Sequence, residues 1–124
     1  MEKEFIPYEQ ALALKQLGFD EPCFGIYQKN KKVNIGKVGM PAKFPKNSTC
    51  WNCSAPTFSQ CFRWFREKYG LCSHIFSKED NTFVWCVRWY VDGLQKDIPY
   101  ESSKTYEEAE LECLKKIIEI VKEK

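Results

Sequence analysis

Apolar residues recur with a helical period in three stretches of the chain and with a shorter, strand-like period between them. The first helical stretch runs from Phe5 to Leu17, where Pro7 opens the pattern and Gly18 closes it. The last begins at Thr105, which stands three residues before Glu108 as in a capping box. These signals predict a helix near each end of the chain.

The central stretch, Ser54–Gly70, has the clearest apolar stripe. Ser54 suits the N-cap, Pro56 suits the first turn, and Gly70 supplies a left-handed end. The stripe follows the spacing i, i+3, i+4, i+7 and i+11 and contains Phe58, Cys61, Phe62, Phe65 and Tyr69. We therefore expect this face in the core, and we expect Gln60, Arg63, Trp64 and Arg66 to point elsewhere.

Two pairs of short runs have the length and composition of strands. The first pair is 23–28 and 33–38, in which Gly25 indicates a bulge or a close approach of another chain segment. The second pair is 71–77 and 82–91. If Ser77 pairs with Thr82, His74 falls opposite Trp85, and Arg88 opposite Leu71. The next stretch, 94–103, is expected to loop back after the Asp92-Gly93 turn.

The predicted order is therefore α-β-β-α-β-β-α, which indicates the α+β class. We expect one domain over residues 1–124, with an antiparallel sheet of about four strands packed by three helices. Residues 39–53 show no sustained period and include two Pro and two Asn. Long segments of this kind are often functional. We interpret 39–53 as a flexible or ligand-binding loop.

Composition excludes several classes of protein. Hydrophobic residues make up 44% of the chain, which is too many for a disordered protein, and no apolar run is long enough to span a bilayer. The acidic N-terminus does not resemble an export signal. Seven cysteines, an odd number, favour reduced thiols over a disulfide framework. The expected location is the cytoplasm.

The charges are unevenly distributed. The segment 22–70 has nine Lys and Arg residues against the single acid Glu67, a net charge of +8, so the rest of the chain carries −6 within a total of +2. Clustered positive charge favours an anionic partner. An alternative is that several of these lysines only keep the edge of a hairpin soluble.

The loop 39–53 leads into the start of the central helix, and a helix N-terminus favours anions. Arg beside Trp or Tyr can pair with a phosphate and stack on a base. The residues predicted to bind such a ligand are Lys43, Lys46, Trp51, Thr57, Gln60, Arg63, Trp64, Arg66, Arg88 and Tyr90. For Trp64 there is a structural alternative, in which it lies at the rim of a second element and the Arg stems cover apolar surface.

Metal and catalytic chemistry have less support. Cys50 and Cys53 form a CxxC that, with Cys72 and His74, makes a weak alternative zinc site, because the second pair has unusual spacing. The single histidine has no nucleophile at a fixed spacing, and neither a P-loop nor a GxGxxG motif occurs. We expect a protein that is not an enzyme and uses no cofactor.

The segment FSQCFRWFREKYGL, together with the aromatic hairpin and TYEEAELECLKKIIEIV, resembles small uncharacterised proteins of tailed phages and prophages of gut Bacteroidetes. Phage proteins of this size are often counter-defence factors, some of which sequester nucleotide signals, commonly as oligomers. The resemblance itself carries no activity. By analogy with this class of phage proteins, we expect a non-enzymatic sponge for a cyclic or phosphorylated nucleotide in the host cytoplasm. The alternatives are an interaction module that inhibits a host defence protein, and a weak binder of single-stranded or structured nucleic acid.

The C-terminal part, with SSKTYEEAE at the start of its last helix, also resembles a double-stranded RNA-binding domain. That family has a basic cluster at this position, whereas this chain has Lys104 followed by acidic residues. The departure weighs against binding of duplex RNA.

Overall fold

A computed structural model of the protein describes residues 4–19, 21, 23, 25–27, 33–35 and 53–123. Three helices and six strands lie in this part of the chain. They are α1 (Tyr8–Gln16), β1 (Gly25–Tyr27), β2 (Val33–Ile35), β3 (Cys53–Ala55), α2 (Phe58–Tyr69), β4 (Cys72–Ser77), β5 (Phe83–Val91), β6 (Leu94–Ser103) and α3 (Tyr106–Lys122). Contacts within the chain group into two compact units, Met1–Gln60 and Cys61–Lys124.

The α+β class and the antiparallel strand pairing are confirmed, and the predicted elements occur in the predicted order. The structure adds β3 and β6 and arranges its described strands in two sheets, with the orders β2-β1-β3 and β4-β5-β6. The single domain stays a prediction. The ligand-binding loop at 39–53 also stays a prediction, because only Cys53 of that segment belongs to the described residues.

The first unit is built around β1, which pairs with β2 on one side and with β3 on the other. Gly25 is opposite Ile35 in one ladder and Ala55 in the other. A Cβ atom on Gly25 would lie 2.7 Å from Cε1 of Phe5 and 3.1 Å from the carbonyl oxygen of Ala55. The close approach predicted at Gly25 is therefore confirmed, and it allows the buried Phe5 ring to lie directly on the strand.

Helix α1 packs beside this sheet and ends as its sequence predicts. Gly18 has φ 95°, and the amide of Phe19 donates to the carbonyl of Leu14 at 2.9 Å, which completes a Schellman motif. The Phe19 side chain is buried. Tyr27 joins β1 to the segment before the helix, because its hydroxyl donates to the carbonyl of Ile6 at 2.6 Å.

The start of α2 differs from the prediction. The helix begins at Phe58, and the Thr57 hydroxyl accepts from the amide of Gln60 at 3.2 Å, which places Thr57 at the N-cap. Ser54 lies in β3 opposite Ile26, so the N-cap prediction for Ser54 is wrong. Pairing with β1 holds this backbone extended for three residues longer than the local sequence indicates.

The other predictions for α2 are largely confirmed. Gly70 has φ 70° and its amide donates to Arg66, so it ends the helix in the left-handed conformation. Tyr69 is half-buried at the end of the predicted stripe. The buried members of the stripe are Phe58, Cys61, Phe62 and Phe65.

In the second unit β5 is the central strand, and its register with β4 corrects the sequence prediction. Ser77 pairs with Phe83 rather than with Thr82, so His74 is opposite Cys86, and Arg88 opposite Cys72. The difference of one residue arises in the turn. The Lys78 amide donates to the Thr82 carbonyl at 2.8 Å, which leaves three residues in the loop, and the last of them, Asn81, has φ 63°.

Residues 94–103 form strand β6, so their interpretation as a loop is wrong. Asp92 and Gly93 have φ 51° and 79° and make a two-residue turn that pairs Val91 with Leu94. Further along, Trp85 is opposite Glu101 but Val87 is opposite Ile98, so residues 99 and 100 together face one residue of β5. Pro99 lies in this bulge, where a missing amide hydrogen is tolerated.

Helix α3 contacts all three strands of this sheet. Its capping box is confirmed, because the Thr105 hydroxyl accepts from the Glu108 amide at 3.1 Å, and the Glu108 carboxylate accepts from the Lys104 amide at 3.2 Å. Its buried residues are Ala109, Cys113, Leu114, Ile117, Ile118 and Val121. No helix in the described part of the chain is long and apolar enough to span a membrane.

The contact at Gly25 predicts that Gly25→Ala lowers the free energy of unfolding by about 1–3 kcal/mol, as overpacking of a core does. Urea denaturation measures the change. Phe5→Leu removes the ring atoms nearest to the new methyl group. The double variant should therefore lose less stability than the sum of the two single variants. Simple additivity would show that the two positions are not in contact.

The corrected cap predicts that Thr57→Ala lowers the free energy of unfolding by about 1 kcal/mol, because the Gln60 amide loses its acceptor. Thr57→Ser keeps a hydroxyl at the same place and should stay within about 0.5 kcal/mol of the parent protein. The same denaturation measurement applies. Equal losses in the two variants would contradict the assignment of the cap.

Candidate recognition surface

The sheet of the second unit has two faces with different neighbours. Phe83 lies on the face toward α3, where its ring meets Tyr106 at 5.7 Å, and Trp85 and Val87 share its parity on β5. The side chains that alternate with them form the opposite face, which we call the Arg88 face. Its members are Cys72, His74, Phe76, Val84, Cys86, Arg88, Tyr90, Gln95 and Asp97.

A hydrogen-bonded network of four side chains crosses from β5 to β6 on this face. Arg88 donates from Nε to Oδ1 of Asp97 at 2.9 Å, and Gln95 donates from Nε2 to Oδ2 of Asp97 at 2.9 Å. The Tyr90 hydroxyl donates to Oε1 of Gln95 at 3.3 Å. The hydrogen bonds from Arg88 and then Gln95 hold the pKa of Asp97 below its usual value. Asp97 is therefore ionised at neutral pH and keeps Arg88 oriented.

Aromatic rings lie on both sides of this network. Tyr90 is 64% exposed at one end, and Phe76 is 46% exposed toward the other. The Phe76 ring is nearly parallel to the His74 ring, with 6.2 Å between their centroids. Val84, the partner of Phe76, is six residues from Tyr90 along β5, a distance of about 20 Å. The Arg88 face therefore presents an oriented guanidinium group between exposed rings.

Two predicted ligand-binding residues at the start of α2, Thr57 and Gln60, have hydrogen-bond partners within the chain. The hydroxyl of Thr57 is occupied in the cap, and Nε2 of Gln60 donates to Oε1 of Glu21 at 3.3 Å. A carboxylate therefore already lies beside the positive end of this helix, and it would repel an anion. Sequence reasoning missed Glu21 because it lies one residue before the basic segment and is brought here only by folding.

Helix α2 carries two exposed arginines and a buried tryptophan. Arg63 and Arg66 are exposed, and Arg63 lies 3.9 Å from the carboxylate of Glu67. Trp64, which we expected outside the core, is only 7% exposed, so that expectation is wrong. Its ring packs edge-on against Phe65 at 4.9 Å and against Tyr69 at 5.7 Å.

A lysine covers the Trp64 ring, whereas the structural alternative for this residue expected arginine stems. Nζ of Lys68 lies 4.9 Å from its centroid. The apolar side of α2 is thus wider than the predicted stripe, and Trp64 forms its flank. A buried ring covered in this way is poorly placed to stack on a ligand.

The predicted ligand-binding residues that the structure describes are divided between the two units. Arg88 and Tyr90 share the Arg88 face, whereas Thr57 and Gln60 lie at the start of α2 in the first unit. Lys43, Lys46 and Trp51 lie outside the described residues, and their role stays a prediction.

Sequence reasoning misses Gln95 and Asp97 because it interprets residues 94–103 as a loop. The signal that identifies them is Asp92-Gly93, a pair typical of two-residue hairpin turns. Such a turn returns the chain directly alongside β5, and it places Gln95 opposite Tyr90, and Asp97 opposite Arg88.

The described residues do not support metal binding or thiol reactivity for the cysteines among them. Among them no three His, Cys, Asp or Glu side chains are grouped to hold a metal ion. The Cys50 and Cys53 side chains lie outside this description, so their site with Cys72 and His74 stays a prediction. Burial raises the pKa of Cys113 to about 12, and Cys86 and Glu110 add to the effect, so this thiol remains protonated at neutral pH.

No protein-family model, curated protein or solved structure matches this chain. Evidence for function therefore comes from the residues of the chain itself.

One carboxyl group of α3, that of Glu110, has a raised pKa. Partial burial raises the pKa of Glu110 to about 6 from an ordinary value of 4.5, and the charge of Glu107 one turn earlier adds to the shift. Above pH 6 the ionised group therefore destabilises the folded protein. As the pH falls from 6 to 4.5 the folded protein takes up this proton before the unfolded chain does, and the penalty disappears.

Glu110→Gln should therefore raise the free energy of unfolding at pH 7 by up to about 1 kcal/mol, after allowance for screening by solvent. The gain should shrink below pH 6 and be absent at pH 4. Denaturation at a series of pH values measures it. Glu119→Gln, an exposed position on the same helix, is the matched control for the loss of charge. A gain that is equal in both variants, or that is unchanged at pH 4, would contradict the assignment.

Proposed function

We propose that this protein binds an anionic nucleotide, cyclic or otherwise phosphorylated, without catalysing a reaction, and that the Arg88 face is its recognition surface. The observation that carries the proposal is the network in which Asp97 and Gln95 orient Arg88 beside the exposed ring of Tyr90. The proposal rests on the Arg88 face because Lys43, Lys46 and Trp51, which were expected beside the start of α2, lie outside the described residues.

Arg88 has the geometry for phosphate recognition. A guanidinium group carries five N–H donors in a planar fork, and the bond to Asp97 is made through Nε. The side chain is 34% exposed, so a ligand on this face can reach it. A group that is already oriented loses less conformational entropy when a phosphate binds.

Tyr90 supplies a surface for a base. It lies two residues from Arg88 on the same side of β5, a separation of about 7 Å. One nucleotide can span that distance with its base on the ring and its phosphate at the guanidinium. Aromatic stacking tolerates every base, so discrimination among nucleotides depends on hydrogen bonds at the edge of the base.

The charge of the Arg88 face favours a small ligand over a long nucleic acid. Asp97 offsets the charge of Arg88, and binding to a polyanion depends on the number of phosphates that are neutralised. The resemblance to phage proteins suggests a biological role for this binding. In that role the protein sequesters a host signal in the cytoplasm, and it acts as a homo-oligomer if two copies enclose the ligand. Sequestration requires tight binding but no catalytic group.

A protein partner is the second candidate, and a separate observation favours it. Leu94 is 66% exposed and Val91 is 45% exposed at the turn that joins β5 to β6, next to Tyr90. Tyr is enriched among the residues that dominate binding at protein interfaces, and contiguous exposed apolar residues can mark an interaction site. In this case the protein would inhibit a host defence protein by contact through the turn.

Isothermal titration calorimetry tests the first candidate against a panel of cyclic dinucleotides, cyclic trinucleotides and ADP-ribose derivatives. At least one ligand should bind, and Arg88→Lys should weaken that binding about tenfold or more because a point charge replaces the planar fork. Tyr90→Ala should weaken it about fivefold or more, whereas Tyr90→Phe keeps the ring and should bind normally. Arg66→Lys, on α2, is the matched control and should have no effect. Silence across the panel at high micromolar concentration would contradict the proposal.

The second candidate predicts stoichiometric capture of one protein from a host lysate. Leu94→Asp should abolish capture because it places a charge at the apolar turn, while nucleotide affinity should stay unchanged. Tyr90→Ala, in contrast, weakens both activities. Capture that persists in Leu94→Asp would exclude the turn as the interface.

A further inference from the structure

A groove of about 580 Å³ lies on the other face of the sheet and is lined by residues of β5, β6 and α3. It lies within the second unit, and none of the four side chains of the Arg88–Asp97 network lines it. Trp85 lines it, together with the acidic side chains of Glu101, Glu108 and Glu112. Its volume is in the range of ligand-binding sites and exceeds that of a single side chain.

The indole N–H of Trp85, which lines this groove, has no hydrogen-bond acceptor among the described residues. Trp85 is only 5% exposed, and it lies directly opposite Glu101 in the ladder between β5 and β6. Among the described residues, no cation lies over its ring. A buried indole N–H usually has a partner. Trp85 therefore brings to the groove a hydrogen-bond donor that this part of the chain does not use.

The charges around Trp85 favour a cation. The three glutamates and Lys104, which also lines the groove, give the lining a net charge of −2 at neutral pH. Internal partners engage two of the carboxylates, each through one oxygen. Oε2 of Glu108 accepts from the Lys104 amide at 3.2 Å, and Oε1 of Glu112 lies 3.9 Å from Nζ of Lys115. With Lys115 included, the groove and its neighbouring cation still carry a net charge of −1.

We propose that the groove binds an arginine or lysine side chain from a basic peptide segment of a partner protein. The cation lies among the carboxylates, and a peptide carbonyl accepts from the indole N–H of Trp85. The combination of a donor and an acidic lining selects a ligand that carries both a cation and an acceptor. The volume of the groove favours a residue within a peptide over a free amino acid. The proposal is independent of nucleotide binding at the Arg88 face.

Nuclear magnetic resonance titration of the full chain tests this proposal with the peptide acetyl-Gly-Arg-Gly-amide. The indole N–H resonance of Trp85, assigned by its loss in Trp85→Phe, should shift and saturate. The matched peptide with citrulline in place of arginine has the same shape without the charge and should bind at least fivefold more weakly. Free arginine should also bind more weakly, because its carboxylate meets the acidic lining. Equal affinity of citrulline peptide or of free arginine overturns the proposal.

Variants of the lining separate charge recognition from non-specific binding. Glu101→Gln and Glu112→Gln should each lower the affinity for the arginine peptide about two- to fivefold, in keeping with partly exposed ion pairs. Glu119→Gln removes the same charge from α3 outside the groove and should leave the affinity unchanged. An equal loss in Glu119→Gln, or no shift of the Trp85 indole at 20-fold peptide excess, overturns the proposal.

Discussion

The second unit depends on the pairing of β5 with both of its neighbours. Two turns fix that pairing, one with Asn81 in the left-handed conformation and one made by Asp92 and Gly93. A slip of one residue would send every side chain of β5 to the other face of the sheet. The register therefore decides that Trp85 lies with α3 and that Arg88 lies beside Asp97. The proposed nucleotide surface and the proposed peptide groove are opposite faces of this one strand.

The local sequence predicts the structure correctly where the hydrogen bonds join residues that are close together in sequence. The capping box at Thr105 and the helix end at Gly70 were predicted because their partners are only a few residues away in sequence. Predictions failed where distant segments decide the outcome. Ser54 has the composition of an N-cap, but pairing with β1 keeps it extended. Trp64 stands outside the predicted stripe, and only tertiary packing buries it.

The sequence predicts which types of residue form the candidate site, but it does not predict how they are arranged in the fold. Arg88 and Tyr90 were identified as an aromatic and basic pair, and their common parity follows from an interval of two residues along a strand. Asp97 was missed because residues 94–103 are rich in polar residues and contain a proline, which obscures the alternation of an edge strand. Glu21 shows the opposite effect, because folding places an acid where the sequence suggested a site for anions.

The central claim is that Arg88 is oriented before any ligand binds and is the group that a nucleotide then contacts. The Nε–H resonance of Arg88, observed by nuclear magnetic resonance in the full chain, tests it most directly. Exchange of this proton with water should be slow in the free protein and fast in Asp97→Asn, and its resonance should shift when the nucleotide is added. Exchange as fast as that of Arg66, or a shift confined to the start of α2, would contradict the account.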